Sequence, residues 1–149
     1  MSSYNSTWQE KTTKILERLK FDLQATDIFP KENVKILGAF AQWKAKYDQY
    51  PNCLIRFVND RVGFATADEE EHLFLFQILI SMKSKAKPEE DTLDYLDVIG
   101  QVEEALRDDN TLDGNCDWLL IREKDLTYGW SEGYLFYECL MNVEVHATW

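Results

Sequence analysis

The chain has 149 residues, 45% of them hydrophobic and 13% aromatic. That supports a single domain over 1–149 with a packed interior and excludes an intrinsically disordered chain. A formal net charge of −11 sets the surface against a phosphate backbone, because duplex affinity comes largely from Lys and Arg.

The first element is a helix. Ser6 and Gln9 fit a capping box, and Trp8, Thr12, Ile15, Leu19 and Leu23 follow at three- and four-residue steps as one apolar stripe. Lys11, Lys14 and Arg18 form a basic row beside it, and the helix fades before Pro30. Val34–Phe40 reads as a short extended piece and 41–47 as one or two amphipathic turns. Pro51 then opens a strand at Cys53–Val58, where Cys53, Ile55 and Phe57 alternate with Leu54, Arg56 and Val58. Asn59–Asp60 is a turn signal, and 61–71, with Gly63 and the acidic run Asp68–Glu71, reads as a polar irregular loop.

His72–Met82 has the strongest strand pattern. Phe74, Phe76, Ile78 and Ile80 line one face and Leu73, Leu75 and Leu79 the other. Apolar residues on both faces imply a central strand covered on both sides, or on one side by another subunit. Lys83–Asp91 reads as an exposed linker. A second helix runs over Thr92–Asp108, with Tyr95, Ile99, Val102 and Leu106 as its buried stripe and a mostly acidic outer face. Strands at Asp117–Glu123 and Tyr134–Thr148 close the chain, with Leu126–Gly133 turning between them. The order predicts an α+β fold: a single mixed, mainly antiparallel sheet with two main helices packed on one face.

Little of this carries chemistry. His72 and His146 lack partners at metal-ligand spacing, and Cys53, Cys116 and Cys139 are widely separated within apolar runs, which predicts buried free thiols and no zinc site. Asp108–Asn115 gestures at a calcium loop, but it lacks the terminal bidentate Glu, and a helix end followed by a turn accounts for it. No Gly-rich phosphate loop and no Ser- or Cys-nucleophile motif is present. The expectation is a protein with no catalytic residues, no metal and no cofactor. No apolar run reaches the roughly 18 residues of a membrane span, and the opening stretch is polar rather than a secretory signal.

Two features remain. Aromatic residues gather before the second strand (Trp43, Tyr47, Tyr50) and near the last hairpin (Tyr128, Trp130, Tyr134, Phe136); acidic neighbours favour a protein–protein interface there over base stacking, with core packing the plain alternative. Charge is also unevenly divided. Residues 1–88 carry 13 Lys/Arg against 11 Asp/Glu, a balance of +2, and residues 89–149 carry 3 against 16, a balance of −13. The acidic part is either a solubilising face or one of two complementary surfaces that meet on neighbouring copies or partners.

The order of elements resembles the tail terminator (tail completion) proteins of long-tailed bacteriophages. The resemblance is carried by the amphipathic helix Ser6–Leu23, the extended Val34–Phe40, and the strand opened by Tyr50-Pro51-Asn52-Cys53-Leu54-Ile55. The strand Leu73–Ile80, the Asp/Leu-rich helix ending Val102–Arg107, and the closing strands around Trp118–Ile121 and Tyr137–Val145 complete it. Asn52 stands where that family has a small residue after the Tyr-Pro pair. The resemblance implies a structural virion protein at the head-proximal end of the tail, assembled in the host cytoplasm. Its subunits form a hexameric ring that caps the tail tube, meets the head-proximal connector protein and lets DNA pass without binding it. On that reading Lys11, Lys14, Arg18, Arg61 and Phe64 are expected at the subunit interface, and Asp68, Glu69, Glu70 and Glu71 as acids of the lumen. The alternatives are an acidic DNA-mimic inhibitor and a related head–tail connector or adaptor.

Overall fold

The computed structural model describes residues 7–38, 49–64, 66–131 and 133–149. Ser6, Phe40 and the turns expected at 41–47, with Trp43 and Tyr47, lie outside them. Helix α1 spans Thr7–Gln24 and buries Thr12, Ile15, Leu19 and Leu23 of the stripe that its periodicity predicts, whereas Trp8 in the first turn is 40% exposed. A 3-10 turn, Lys31–Asn33, leads into β1, Val34–Ile36. Strands β2 (Asn52–Phe64) and β3 (Glu70–Lys83) follow, then helix α2 (Pro88–Asp108) and strands β4 (Trp118–Ser131) and β5 (Tyr134–Thr148).

The strands form one five-stranded sheet in the order β1-β2-β3-β5-β4. β1 runs parallel to β2 and every other pairing is antiparallel, which is the mixed, mainly antiparallel α+β architecture expected. β3 is central. Its residues Phe74, Phe76, Ile78 and Ile80 pack in one cluster with Ile15, Leu19 and Leu23 of α1, Tyr95, Ile99, Val102 and Leu106 of α2, and Cys139, Met141, Val143 and Val145 of β5. Each large side chain fully buried there contributes about 1.5–3 kcal/mol. A smaller apolar group on the other face joins Leu54 and Leu79 to Leu37 and Leu140.

Three boundaries differ from the sequence expectation, the first two because pairing with a long neighbouring strand overrides local turn propensity. Asn59–Asp60 does not turn the chain. The register shifts there by a bulge between Phe57 and Asn59, and β2 continues to Phe64 along β3. The polar loop expected at 61–71 is therefore largely strand, with β3 resuming at Glu70. The turn expected at Leu126–Gly133 is strand as well: β4 runs beside β5 to Ser131, after a bulge between Ile121 and Glu123 that resets its alternation. The chain reverses next to Gly133, whose φ of +82° suits glycine. Third, the linker expected at Lys83–Asp91 already contains the first turn of α2. Pro88 stands in that turn, and Asp91 is buried, accepting hydrogen bonds from Ser84 Oγ at 2.7 Å and the Lys85 amide at 3.0 Å.

The start of α1 is fastened to the sheet by a polar junction whose Asp60 and His72 side chains are buried and whose Trp8 is exposed. Asp60 Oδ2 accepts from Trp8 Nε1 at 2.7 Å and lies 2.7 Å from His72 Nδ1. The His72 ring is packed against Phe74 and Trp149, with centroids 5.6 and 3.8 Å away. Removing the acceptor strands donors on two elements. Asp60→Ala should lower the free energy of unfolding by about 1–3 kcal/mol in urea titration, and Trp8→Phe, which removes one donor and leaves the acceptor to His72, should cost less.

Candidate interaction surfaces

The histidines fasten elements together. His146 stacks on Trp118 at 5.0 Å, lies 2.6 Å by Nε2 from Glu71 Oε1, and has Nδ1 3.0 Å from Asp117 Oδ2. It thereby joins the start of β3 to the start of β4 across β5. All three cysteines are free and buried. Burial pushes the Cys116 thiol up to about 12 and the Cys139 thiol up to about 11, so neither presents a thiolate nucleophile near neutral pH. Among the described residues no group of three His, Cys, Asp or Glu side chains is placed to hold a metal ion.

The basic row of α1 does not form one free surface. Lys11 Nζ sits 4.9 Å above the Trp149 ring, and Lys14 shares with it a cleft of about 200 Å³ against the 114–117 loop and Trp149. Arg18 turns inward to the protein's own acids. Its Nε lies 2.8 Å from Asp109 Oδ2 and 3.1 Å from Asp22 Oδ1, and its Nη1 is 4.0 Å from Asp113. Of the other residues expected at contacts, Phe64 is 82% exposed at the far end of β2. Arg61 lines a shallow groove of about 490 Å³ on the helix-free face, with Arg122, Trp118 and His146. The acidic run is divided: Asp68 and Glu69 lie in the exposed turn between β2 and β3, Glu70 exchanges backbone hydrogen bonds with Trp149, and Glu71 is taken by His146.

The helix-free face carries a polar ladder across four strands. Arg56 donates to Gln77 Oε1, Gln77 Nε2 donates to Asn142 Oδ1 at 3.1 Å, and Asn142 Nδ2 donates to Glu123 Oε2 at 3.2 Å. Beside it Arg122 Nε donates to Glu144 at 2.7 Å. These links fix the register of β2, β3, β5 and β4 on a face where apolar packing is sparse.

A further exposed surface lies at the outer edge of the sheet. β4 is an edge strand of 14 residues, and its Leu126, Tyr128 and Trp130 are 45%, 70% and 75% exposed. They alternate toward the helix-bearing face, opposite Cys139, Tyr137 and Leu135 of β5. Leu93 and Leu96 of α2 are also exposed. The gathering of Tyr128 and Trp130 marks this surface in the sequence, and the period-two spacing of 126, 128 and 130 belongs to a strand where a turn is expected. Of the remaining aromatics, Phe136 is buried and stacks on Tyr50 at 4.6 Å. Long apolar edges of this kind invite pairing with another chain.

No protein-family model and no curated protein matches the sequence. A solved chain in a structure described as the virion of a native gene transfer agent particle superposes on 89% of this chain and 92% of its own length, with 10% identity and a TM-score of 0.47.

The basic row can be dissected by single reversals. Arg18→Glu should lower the melting temperature distinctly, because it sets a fourth carboxylate among Asp22, Asp109 and Asp113. Lys14→Glu, at an exposed position, should stay within about 2 °C of the parent protein in scanning calorimetry at low salt.

Proposed function

We propose that this chain is a structural subunit of a virion, a tail terminator that assembles head to tail into a hexameric ring capping the tail tube. The reading rests on the sequence resemblance described above, and one structural observation supports it most directly. Sheet order sets the two chain halves on opposite sides of one seam: α1 packs over β1 and β2, α2 packs against β4, and the halves meet where β3 pairs with β5 and α1 touches α2. The charge division along the sequence, +2 for residues 1–88 and −13 for residues 89–149, thus becomes a division in space. A near-neutral flank lies at the β1–β2 edge and a strongly acidic flank at the β4–α2 edge.

A closed ring needs two unlike surfaces on every subunit, since a head-to-tail contact closes by rotation. Opposed charge at those surfaces speeds and orients association. The exposed Leu126, Tyr128 and Trp130 supply the apolar centre that charge alone lacks. Phe64 and Arg61, at the far end of β2, belong to the opposite flank and are the proposed counterparts. Within such a ring Asp68, Glu69 and Glu70 turned to the lumen, with Glu71 behind them, repel passing DNA. Tail tube and head-proximal connector proteins are then the partners above and below.

The exposed acids of α2, among them Glu89, Asp97, Glu104 and Asp108, favour a second reading, an acidic inhibitor that mimics DNA. It requires a monomer or dimer that captures a basic protein.

Light scattering coupled to size exclusion separates the two. Alone or with tail tube protein, the chain should form a ring of about six copies that weakens as salt is raised. A triple change of Leu126, Tyr128 and Trp130 to Ser should shift the population to folded monomers by circular dichroism and scattering. A strict monomer even with tube protein present would sink the terminator reading, and assembly unaffected by the triple change would remove the β4 edge from the interface.

A further inference from the structure

Where α1 ends against the loop after α2, three carboxyl groups surround one guanidinium. Asp22 is 8% exposed and meets Arg18 with Oδ1 at 3.1 Å. Its Oδ2 is buried and, among the described residues, accepts from no donor. Asp109 Oδ2 meets the same nitrogen, Arg18 Nε, at 2.8 Å, which brings the two carboxyl groups together on one donor; Asp113 stands farther out, 4.0 Å from Arg18 Nη1. Arg18 and Asp22 come from α1 and Asp109 and Asp113 from the loop, and these are the charged groups that act on Asp22. One cation cannot balance three carboxylates at the edge of a core. A buried carboxylate without a donor is costly, whereas a carboxylic acid hydrogen-bonded to a carboxylate satisfies both oxygens.

Asp109 has a second task. The residues after it, Leu112, Asp113 and Gly114, all take left-handed backbone angles, with φ of +49°, +58° and +80°. That conformation costs a non-glycine residue roughly 1–2 kcal/mol. Here it delivers Leu112, which is fully buried, into the core. The loop is held to Asp109: the Asp113 amide donates to its Oδ1 at 3.0 Å and the Leu112 amide to its carbonyl oxygen at 2.9 Å. Whatever anchors Asp109 therefore anchors a strained segment that leads directly into β4.

We propose that Asp22 and Asp109 share a proton and thereby form a pH-sensitive clasp between α1 and the 109–116 loop, closed when Asp22 is protonated and loosened when it ionises. The direction agrees with the electrostatics. Burial, and then the hydrogen bond to Asp109, push the Asp22 carboxyl up to about 7, while that hydrogen bond draws Asp109 down to about 2. A carboxyl whose folded-state pKa lies above its unfolded value of 3.8 gives stability that is full below that value and is lost as pH rises through the folded value. The clasp thus weakens between about pH 4 and pH 7 and is open above that window. The inference is independent of the proposed assembly.

Asp22→Asn keeps a donor at the same place and removes the titration. Between pH 5 and pH 8 the parent protein should lose at least about 3 °C more in melting temperature than Asp22→Asn does. Amide exchange in 109–116, corrected for intrinsic rates, should accelerate with pH in the parent and not in the variant. Equal pH slopes in the two proteins would overturn the clasp. Should the variant fail to fold, a carbon-13 NMR titration of the Asp22 carboxyl in the parent decides alone: a midpoint above pH 6 supports the shared proton, and one below pH 5 overturns it.

Discussion

The ladder between β3 and β5 is the constraint from which the other contacts take their places. It pairs Glu71–Lys83 with Phe136–Thr148 without interruption, so two long strands fix one another's register over their whole length. Because side chains alternate, that register sets Phe74, Phe76, Ile78 and Ile80 beside Val145, Val143, Met141 and Cys139 on one face, and this continuous apolar floor is what the helices cover. β2 and β4 each attach to one side of this pair and each carries a bulge. Both bulges lie where the strand is paired on one side only, beyond the end of β1 on β2 and on the edge strand β4, and there a local twist costs less than between two paired neighbours.

Polar contacts finish what the apolar floor begins. On the helix-bearing side they lie at the corners. Asp60 ties Trp8 to His72 at the start of α1, Arg18 ties the end of α1 to the loop after α2, and Lys124 pairs with Glu103 to hold α2 over β4. On the other side they run across the strands as the Arg56–Gln77–Asn142–Glu123 ladder. Burial orders the helices against the sheet without direction, whereas these contacts have fixed geometry and select one arrangement among those that the hydrophobic effect alone would permit.

The same layout bears on the proposed assembly. A sheet whose first-half strands occupy one side and whose last-half strands occupy the other converts a one-dimensional bias in charge into two unlike flanks. One flank is finished by a three-residue strand, β1, and the other by a 14-residue edge with exposed aromatic side chains. That asymmetry suits a directional contact between copies better than a self-complementary one.

Periodicity in the amino-acid sequence determined both helices, the central position of β3, the closing strand Tyr134–Thr148 and the mixed α+β class, because a period of 3.6 or 2 is a property of neighbouring residues and survives without knowledge of the rest. Composition alone also determined the division of charge. Tertiary structure decided the true lengths of β2 and β4, where Asn59–Asp60 and Gly129 look like turns locally but lie beside strands long enough to keep them paired. It also decided partnerships between distant residues: that Arg18 faces Asp109 across 91 positions as well as Asp22 on its own helix, that Glu71 is held by His146, and that Tyr128 and Trp130 stand exposed while Phe136 is buried. No local pattern encodes such pairings, since they arise only when sheet order brings separated segments to the same corner of the fold.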